Sequence, residues 1–186
     1  KDHIKIFDGL PTNEKLKILN KKNKLPKKFF SKINKYKQNI TSKILNTKVK
    51  KKKSIVNMFR NLNKKYKIAV ATNAVNQTLN ICLKKLGILK YVDYRLCNED
   101  VNFSKPNPEI YLRIFIKFGI YPLEALIIED SVYGREAAIS SGAKLLPIKK
   151  IEELNLKKIK SYIKSTKKNK KSNLSWEDNK MNVLVP

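Results

Sequence analysis

The chain has 186 residues and a formal charge of +27, with 41% hydrophobic and 31% charged residues. This length and apolar content suit a globular domain with a small appended unit, and five glycines are too few for a collagen-like chain. Of the 42 basic residues 38 are lysine, and lysine, asparagine and isoleucine make up 79 of the 186 residues. This bias is typical of AT-rich coding sequences. Because the lysines are scattered and arginine is scarce, we do not expect nucleic acid as the partner.

The first fifty residues have the pattern of a small helical unit. From Pro11 to Leu62 there is no glycine, and apolar residues recur at spacings of three and four. Thr12 suits a helix N-cap, and Glu14 lies in the first turn, where a carboxylate favours the helix dipole. The lysine run at 50–53 is typical of a solvated connector. We therefore predict a helical unit over residues 1–50.

After residue 50 the predicted helices and strands alternate, which indicates a parallel sheet covered by helices. The predicted strands are 67–71, 94–97, 125–129 and 144–148. The predicted helices are 55–64, 76–86, 108–118, 133–141 and 152–165. Glycines 87, 119 and 142 follow three of these helices, as expected at C-terminal caps. The sequence thus predicts an α/β core over 51–165 and a flexible linker over 166–180.

Polar and charged residues occur where the predicted strands end, which is where ligands bind in such a sheet. Thr72 and Asn73 follow the first strand, Lys105 lies in a loop, and Glu129 and Asp130 stand at the end of the third strand. A hydroxyl and backbone amides at a helix start bind anions, and an ammonium adds a point charge. Adjacent carboxylates offer oxygen ligands to Mg²⁺. Each residue alone has an ordinary structural explanation, but together they predict a phosphate and cation site.

Three motifs in this order resemble those of the haloacid dehalogenase-like phosphohydrolases, most closely the β-phosphoglucomutase and phosphonatase-like branch. They are Thr72 after its apolar strand, residues 104–109 (SKPNPE), and residues 127–131 (IIEDS) with Gly134 following. Residues 7–12 (FDGLPT) and the helices after them resemble the helical cap of that branch. The resemblance covers about residues 7–148 and implies a Rossmann-like core with a cap at its N-terminal end.

The resemblance also implies a chemistry, which is phosphoryl transfer through an aspartyl-phosphate with Mg²⁺ as cofactor. Thr72 would donate a hydrogen bond to a phosphoryl oxygen, assisted by the amide of Asn73. Lys105 would neutralise the phosphoryl charge and hold the nucleophile. Asp130, assisted by Glu129, would hold the metal ion. The expected substrate is a small phosphorylated metabolite such as a sugar phosphate, and the choice between phosphatase and phosphomutase stays open.

The first motif of the family, a strand that ends in D-x-D, is missing from the sequence. Asp8 follows an apolar stretch, but Leu10 stands where the second acid belongs. We therefore interpret the chain as a fragment whose central nucleophile strand lies upstream. This interpretation predicts a gap in the sheet with two unpaired strand edges, and no turnover by these residues alone.

Other features bear on partners and location. Residues 181–186 (MNVLVP) resemble the opening strand of sugar-nucleotide nucleotidyltransferases, which predicts a further domain fused downstream. No apolar run reaches the length of a membrane span, and Cys82 and Cys97 do not form a metal or redox motif, so we expect reduced thiols and a cytoplasmic protein. The alternative function is a non-catalytic basic binding module on the same fold.

Overall fold

The computed structural model describes residue 7, residues 9–168 and residues 182–185, with side chains as far as residue 166. Its strands are β1 (Ile68–Ala71), β2 (Tyr94–Leu96), β3 (Ala125–Glu129), β4 (Lys144–Pro147) and β5 (Asn182–Val185). Its helices are α1 (Thr12–Lys21), α2 (Phe30–Lys48), α3 (Lys53–Asn63), α4 (Asn76–Leu86), α5 (Glu109–Phe118), α6 (Val132–Ser140) and α7 (Leu156–Lys168). The strands form one parallel sheet in the order β2-β1-β5-β3-β4. The predicted α/β fold class with a Rossmann-like sheet is confirmed.

The sheet is buried on both faces, because alternate side chains along each strand point to opposite sides. Ile68 and Val70 of β1 pack with the apolar faces of α3, α4 and α7. Ala69 and Ala71 of the same strand pack with those of α5 and α6. The two small alanines let the helices on that face approach the sheet closely, at the end of β1 where the candidate site begins.

Helices α1 and α2 lie outside this sandwich as a separate layer. Leu16 is the buried residue of α1, and α2 has none, although it packs against both α1 and α4. Their polar faces therefore contribute little to the main core. This arrangement places a polar pair of helices beside the residues that follow β1.

The prediction of a gap at the centre of the sheet is wrong. Strand β5 lies there, with Val183 paired to Ile68 of β1 and to Leu126 of β3. If the facing edges of β1 and β3 were open, their backbone N–H and C=O groups would have no partners in the sheet. Strand β5, which is parallel to both strands, supplies those partners. Residues 182–185 are therefore part of the core sheet in this structure.

The end of the core also differs from the expected bounds. Helix α7 begins at Leu156, after a short 3-10 turn at Ile151–Glu153, and runs to Lys168. Ile159 and Ile163 are buried against the sheet, and this docking extends the helix past the predicted end at 165. The rest of the predicted linker, 169–180, lies outside the described residues. Within the described ranges, the helices are too short or too polar to cross a lipid bilayer.

Candidate functional site

The site lies at the carboxyl ends of β1 and β3, on either side of β5. Thr72 follows β1, Glu129 ends β3, and Lys105 reaches both strands from the loop before α5. The Lys105 Nζ donates to Glu129 Oε1 at 2.5 Å and to the carbonyl of Ala71 at 3.1 Å. The structure thus brings Lys105 and Glu129 together at the end of β1, as the order of the motifs predicted.

Tyr111 is a member of this group that the sequence analysis missed. Its hydroxyl donates to Glu129 Oε1 at 2.5 Å and accepts from Lys105 Nζ at 3.3 Å. Burial, and then the negative charge of Glu129, raise the pKa of Tyr111 well above its ordinary value. The hydroxyl therefore stays protonated and serves as a donor. All three side chains are almost fully buried, so Lys105 and Glu129 are a desolvated ion pair whose stability depends on these hydrogen bonds.

The Asn73 side chain ties three segments together. Its Nδ2 donates to the carbonyls of Gly9 at 2.8 Å and Lys105 at 3.0 Å, and its Oδ1 accepts from the Lys105 amide at 3.1 Å. The segment before α1 is thereby fixed against the loops that follow β1 and precede α5. Because the side chain is engaged in this way, any contact of Asn73 with an anion falls to its backbone amide.

Thr72 keeps a hydrogen available for a ligand. Its Oγ1 accepts from the amide of Ala74 at 3.1 Å, and its own amide donates to the carbonyl of Leu96 at 3.0 Å. A hydroxyl that accepts one hydrogen bond still has its proton to donate. Thr72 is half-buried, so an anion that accepts this proton would be partly shielded from water.

Glu129 and Asp130 do not act as a pair in the structure. The second oxygen of Glu129, Oε2, accepts from the Ser131 hydroxyl at 3.3 Å, while Asp130 is exposed. A methyl group at Gly134 would lie 1.9 Å from the same Oε2, so the start of α6 closes over this carboxylate. The expectation that Glu129 assists Asp130 in holding a metal ion stays a prediction, and in the structure both Glu129 oxygens accept hydrogen bonds from the protein.

The described residues do not form a complete magnesium site. They contain no group of three or more His, Cys, Asp or Glu side chains arranged to hold a metal ion. Asp130 is the exposed carboxylate at the end of β3. Mg²⁺ is bound by about six oxygen ligands in near-octahedral geometry, so a single carboxylate does not define its site.

A cavity of about 250 Å³ lies between the helical pair and the loop after β1. Asn34, Lys37 and Gln38 line it from α2, and Asn73 and Asn98 line it from the core. A hydrogen bond of 3.5 Å from the Thr78 hydroxyl to Gln38 Oε1 joins the two sides. The cavity opens beside the same Asn73 that anchors Lys105, so it adjoins the loop that follows β1.

Asn98 carries an unsatisfied acceptor in this cavity wall. Its Oδ1 is buried and has no hydrogen-bond partner among the described residues. Buried oxygens of this kind are rare and normally receive a hydrogen bond from water or a ligand. The sequence alone gave no signal for Asn34, Lys37, Gln38 and Asn98 of this wall, because they are polar side chains on an ordinary helix and loop.

Comparison with known proteins agrees with the motifs. A family model described as haloacid dehalogenase-like hydrolase matches residues 1–148. A protein named phosphorylated carbohydrates phosphatase, from Thermotoga maritima, is 35% identical over 79 residues, which are 42% of this chain and 37% of that protein. The chain spans less than half the length of the curated relatives it matches.

Solved structures share the fold. A hydrolase from Pseudomonas syringae superposes with a TM-score of 0.71 and 20% identity, over 88% of this chain and 80% of that one. A β-phosphoglucomutase from Clostridium difficile gives a TM-score of 0.67 and 18% identity, over 84% of this chain and 78% of that one. At these identities the likeness concerns the backbone architecture.

Proposed function

The chain belongs to the haloacid dehalogenase-like hydrolases, and on that basis we propose that it takes part in phosphoryl transfer on a small phosphorylated metabolite. The observation that carries this proposal is the convergence of Thr72 and Lys105 at the carboxyl end of β1, next to a polar cavity, since Lys105 Nζ donates to the carbonyl of Ala71, the residue before Thr72. The amide-rich and hydroxyl-rich wall of this cavity favours a substrate with hydroxyl groups. A sugar phosphate fits both features, whether the reaction is hydrolysis or isomerisation.

Thr72 and Lys105 have different roles in this proposal. The Thr72 hydroxyl donates to an oxygen of the phosphoryl group, and the adjacent backbone amides add further donors. The buried ammonium of Lys105 stabilises negative charge near the ends of β1 and β3. Glu129 and Tyr111 are positioning residues, because their hydrogen bonds hold the ammonium in place.

The nucleophile implied by the resemblance is an aspartate. Its carboxylate oxygen would form a bond to phosphorus while the ester P–O bond breaks, and water would then cleave the acyl phosphate. Strand β5, which occupies the centre of the sheet, carries no carboxylate. Asp8, which follows the apolar stretch at the start of the chain, lies outside the described residues. We place the nucleophile outside the part of the chain that the structure describes.

The dependence on Mg²⁺ remains a prediction. Asp130 is positioned to contribute one ligand, and other oxygen donors would be required beside it. Titration of the protein with Mg²⁺, in the presence and absence of inorganic phosphate, tests this prediction. A cytoplasmic location is also proposed, on the basis of the two free thiols, Cys82 and Cys97.

Binding of inorganic phosphate tests the proposed site directly. Isothermal titration should show that Thr72→Val, which keeps the shape and removes the hydroxyl, weakens phosphate binding by several-fold relative to the original chain. Thr47→Val is the matched control, because Thr47 is exposed near the end of α2 and bonds only to carbonyls of its own helix among the described residues.

Equal phosphate affinity in the two variants would contradict the proposed site. If the chain failed to bind phosphate but bound nucleic acid in a salt-dependent manner, and Thr72→Val left that binding unchanged, the non-catalytic basic module would be supported instead.

A further inference from the structure

The cavity between the helical pair and the core has a single charged side chain in its lining, that of Lys37. The rest of the lining is uncharged and largely amide or hydroxyl in character. Among the described residues, the ion pairs of the protein do not include Lys37. The cavity wall therefore presents a positive charge with no carboxylate to balance it.

Lys37 is an exposed residue whose ammonium is anchored by a hydrogen bond between the two helices of the pair. Its Nζ donates to the Thr12 hydroxyl at 2.8 Å, which fixes the ammonium between α1 and α2. Desolvation and then the charge of Lys15 lower the pKa of Lys37. An ammonium has three hydrogens, and this contact uses one of them. An anion bound at Lys37 would accept another hydrogen and relieve the repulsion between the two lysines.

The cavity adjoins the proposed phosphoryl site through the residues that follow Thr72. Asn73 and Ala74 line it, and they belong to the loop that begins with Thr72. A substrate whose reacting phosphate contacts Thr72 would therefore extend into the cavity, towards α2. The group that meets Lys37 is then a different part of the same molecule.

We propose that Lys37 selects substrates that carry a second anionic group, distant from the phosphate being transferred. This inference rests on the proposed function and adds to it the substrate class, namely a sugar or similar polyol with two negatively charged groups. Lysine is abundant in the chain, but abundance does not explain a lysine tied to a threonine in a cavity that contains no acid. Lys35, one half-turn away on α2, is exposed like Lys37 but is not part of the lining.

Isothermal titration with paired ligands tests the proposal on the complete 186-residue chain. Fructose 1,6-bisphosphate is compared with fructose 6-phosphate, and 6-phosphogluconate with glucose 6-phosphate, so that a phosphate and a carboxylate are each tried as the second anion. We expect the doubly anionic member of at least one pair to bind about tenfold more tightly. Lys37→Gln should abolish that preference and leave the binding of the ligands with a single anionic group unaffected, whereas the control Lys35→Gln should retain it.

Several outcomes would overturn the proposal. One is that neither pair of ligands shows a preference. Another is that Lys37→Gln weakens the affinity for both members of a pair equally. The variant Thr72→Val separates this inference from the proposed function, since it should weaken all four ligands and inorganic phosphate together. If Thr72→Val has no effect while Lys37→Gln removes the preference, the anion site stands and the proposed phosphoryl site fails.

Discussion

Glu129 is the residue on which the interior of the site depends. Its carboxylate accepts from Lys105, Tyr111 and Ser131, and Gly134 leaves room for it at the start of α6. A buried ion pair that loses one partner leaves a charge without compensation, which costs about 3–5 kcal/mol. Substitutions at Glu129 or Lys105 should therefore destabilise the fold as well as the site, and for this reason the proposed experiments use Thr72 and Lys37.

Cys97 makes the stability of the fold dependent on pH. Its thiol is fully buried and donates to Asp100 Oδ2 at 3.0 Å. Burial, and then this hydrogen bond, raise the pKa of Cys97 from 9.0 to about 12. Over that interval the unfolded chain loses the thiol proton and the folded chain keeps it. The free energy of unfolding must then fall as the pH rises.

We expect urea unfolding to show this fall between pH 9 and pH 12, the interval set by the two pKa values of Cys97. Cys97→Ala should lose less stability over the same range than the original chain. Cys82→Ala is the matched control. Its free energy of unfolding should still show most of the fall over this pH range, because Cys82 is only half-buried. Identical pH dependence in the original chain and Cys97→Ala would refute the assignment.

The sequence was sufficient to place Thr72 and Asp130 directly after strands and Lys105 in a loop, while their roles in a site stay predictions. It was not sufficient to separate Glu129 from Asp130. Their adjacency suggests a shared ligand, but neighbours at the end of a strand point in opposite directions. Tyr111 lies on an apolar helix face, where periodicity cannot distinguish a core aromatic residue from one whose hydroxyl is used.

At the scale of the elements, the alternation of helix and strand was predictable and the position of β5 was not. Helix ends at Gly87 and Gly119 follow local rules, since both glycines adopt the left-handed conformation that favours them. The pairing of β5 depends on residues more than 50 positions away in sequence, such as Leu126 with Val183. Such a partner is chosen by the unpaired edges of other strands, which no local pattern reveals.

The central position of β5 makes its backbone sensitive to proline. Leu184 lies opposite Ala69 of β1 and Ile127 of β3. Leu184→Pro removes an N–H from the middle of the sheet, so we expect a lower urea midpoint and faster hydrogen exchange in β1 and β3. Leu184→Ala, which keeps the N–H, is the control and should retain slow exchange. Unchanged protection of both strands in Leu184→Pro would show that β5 contributes little to the sheet.

At the scale of the whole molecule, the described residues contain the fold of the family without a complete set of catalytic groups. The sheet, the helical pair and the cavity are present, but the described residues supply neither a nucleophilic aspartate at the end of the central strand nor a complete metal site. We therefore expect no hydrolysis of p-nitrophenyl phosphate by the 186-residue chain in the presence of Mg²⁺, measured against a buffer control. Hydrolysis that Asp8→Asn abolishes would assign the nucleophile to Asp8 and contradict this prediction.

Strand β5 also affects how the protein is made. It is the last of the described strands to leave the ribosome, and it is the one that joins β1 to β3. The nascent chain therefore carries two strand pairs with open edges for some seconds, since synthesis proceeds at about 5–20 residues per second. Edges of this kind pair readily with other chains. The yield of folded protein in a cell is thus governed by what shields those edges during translation.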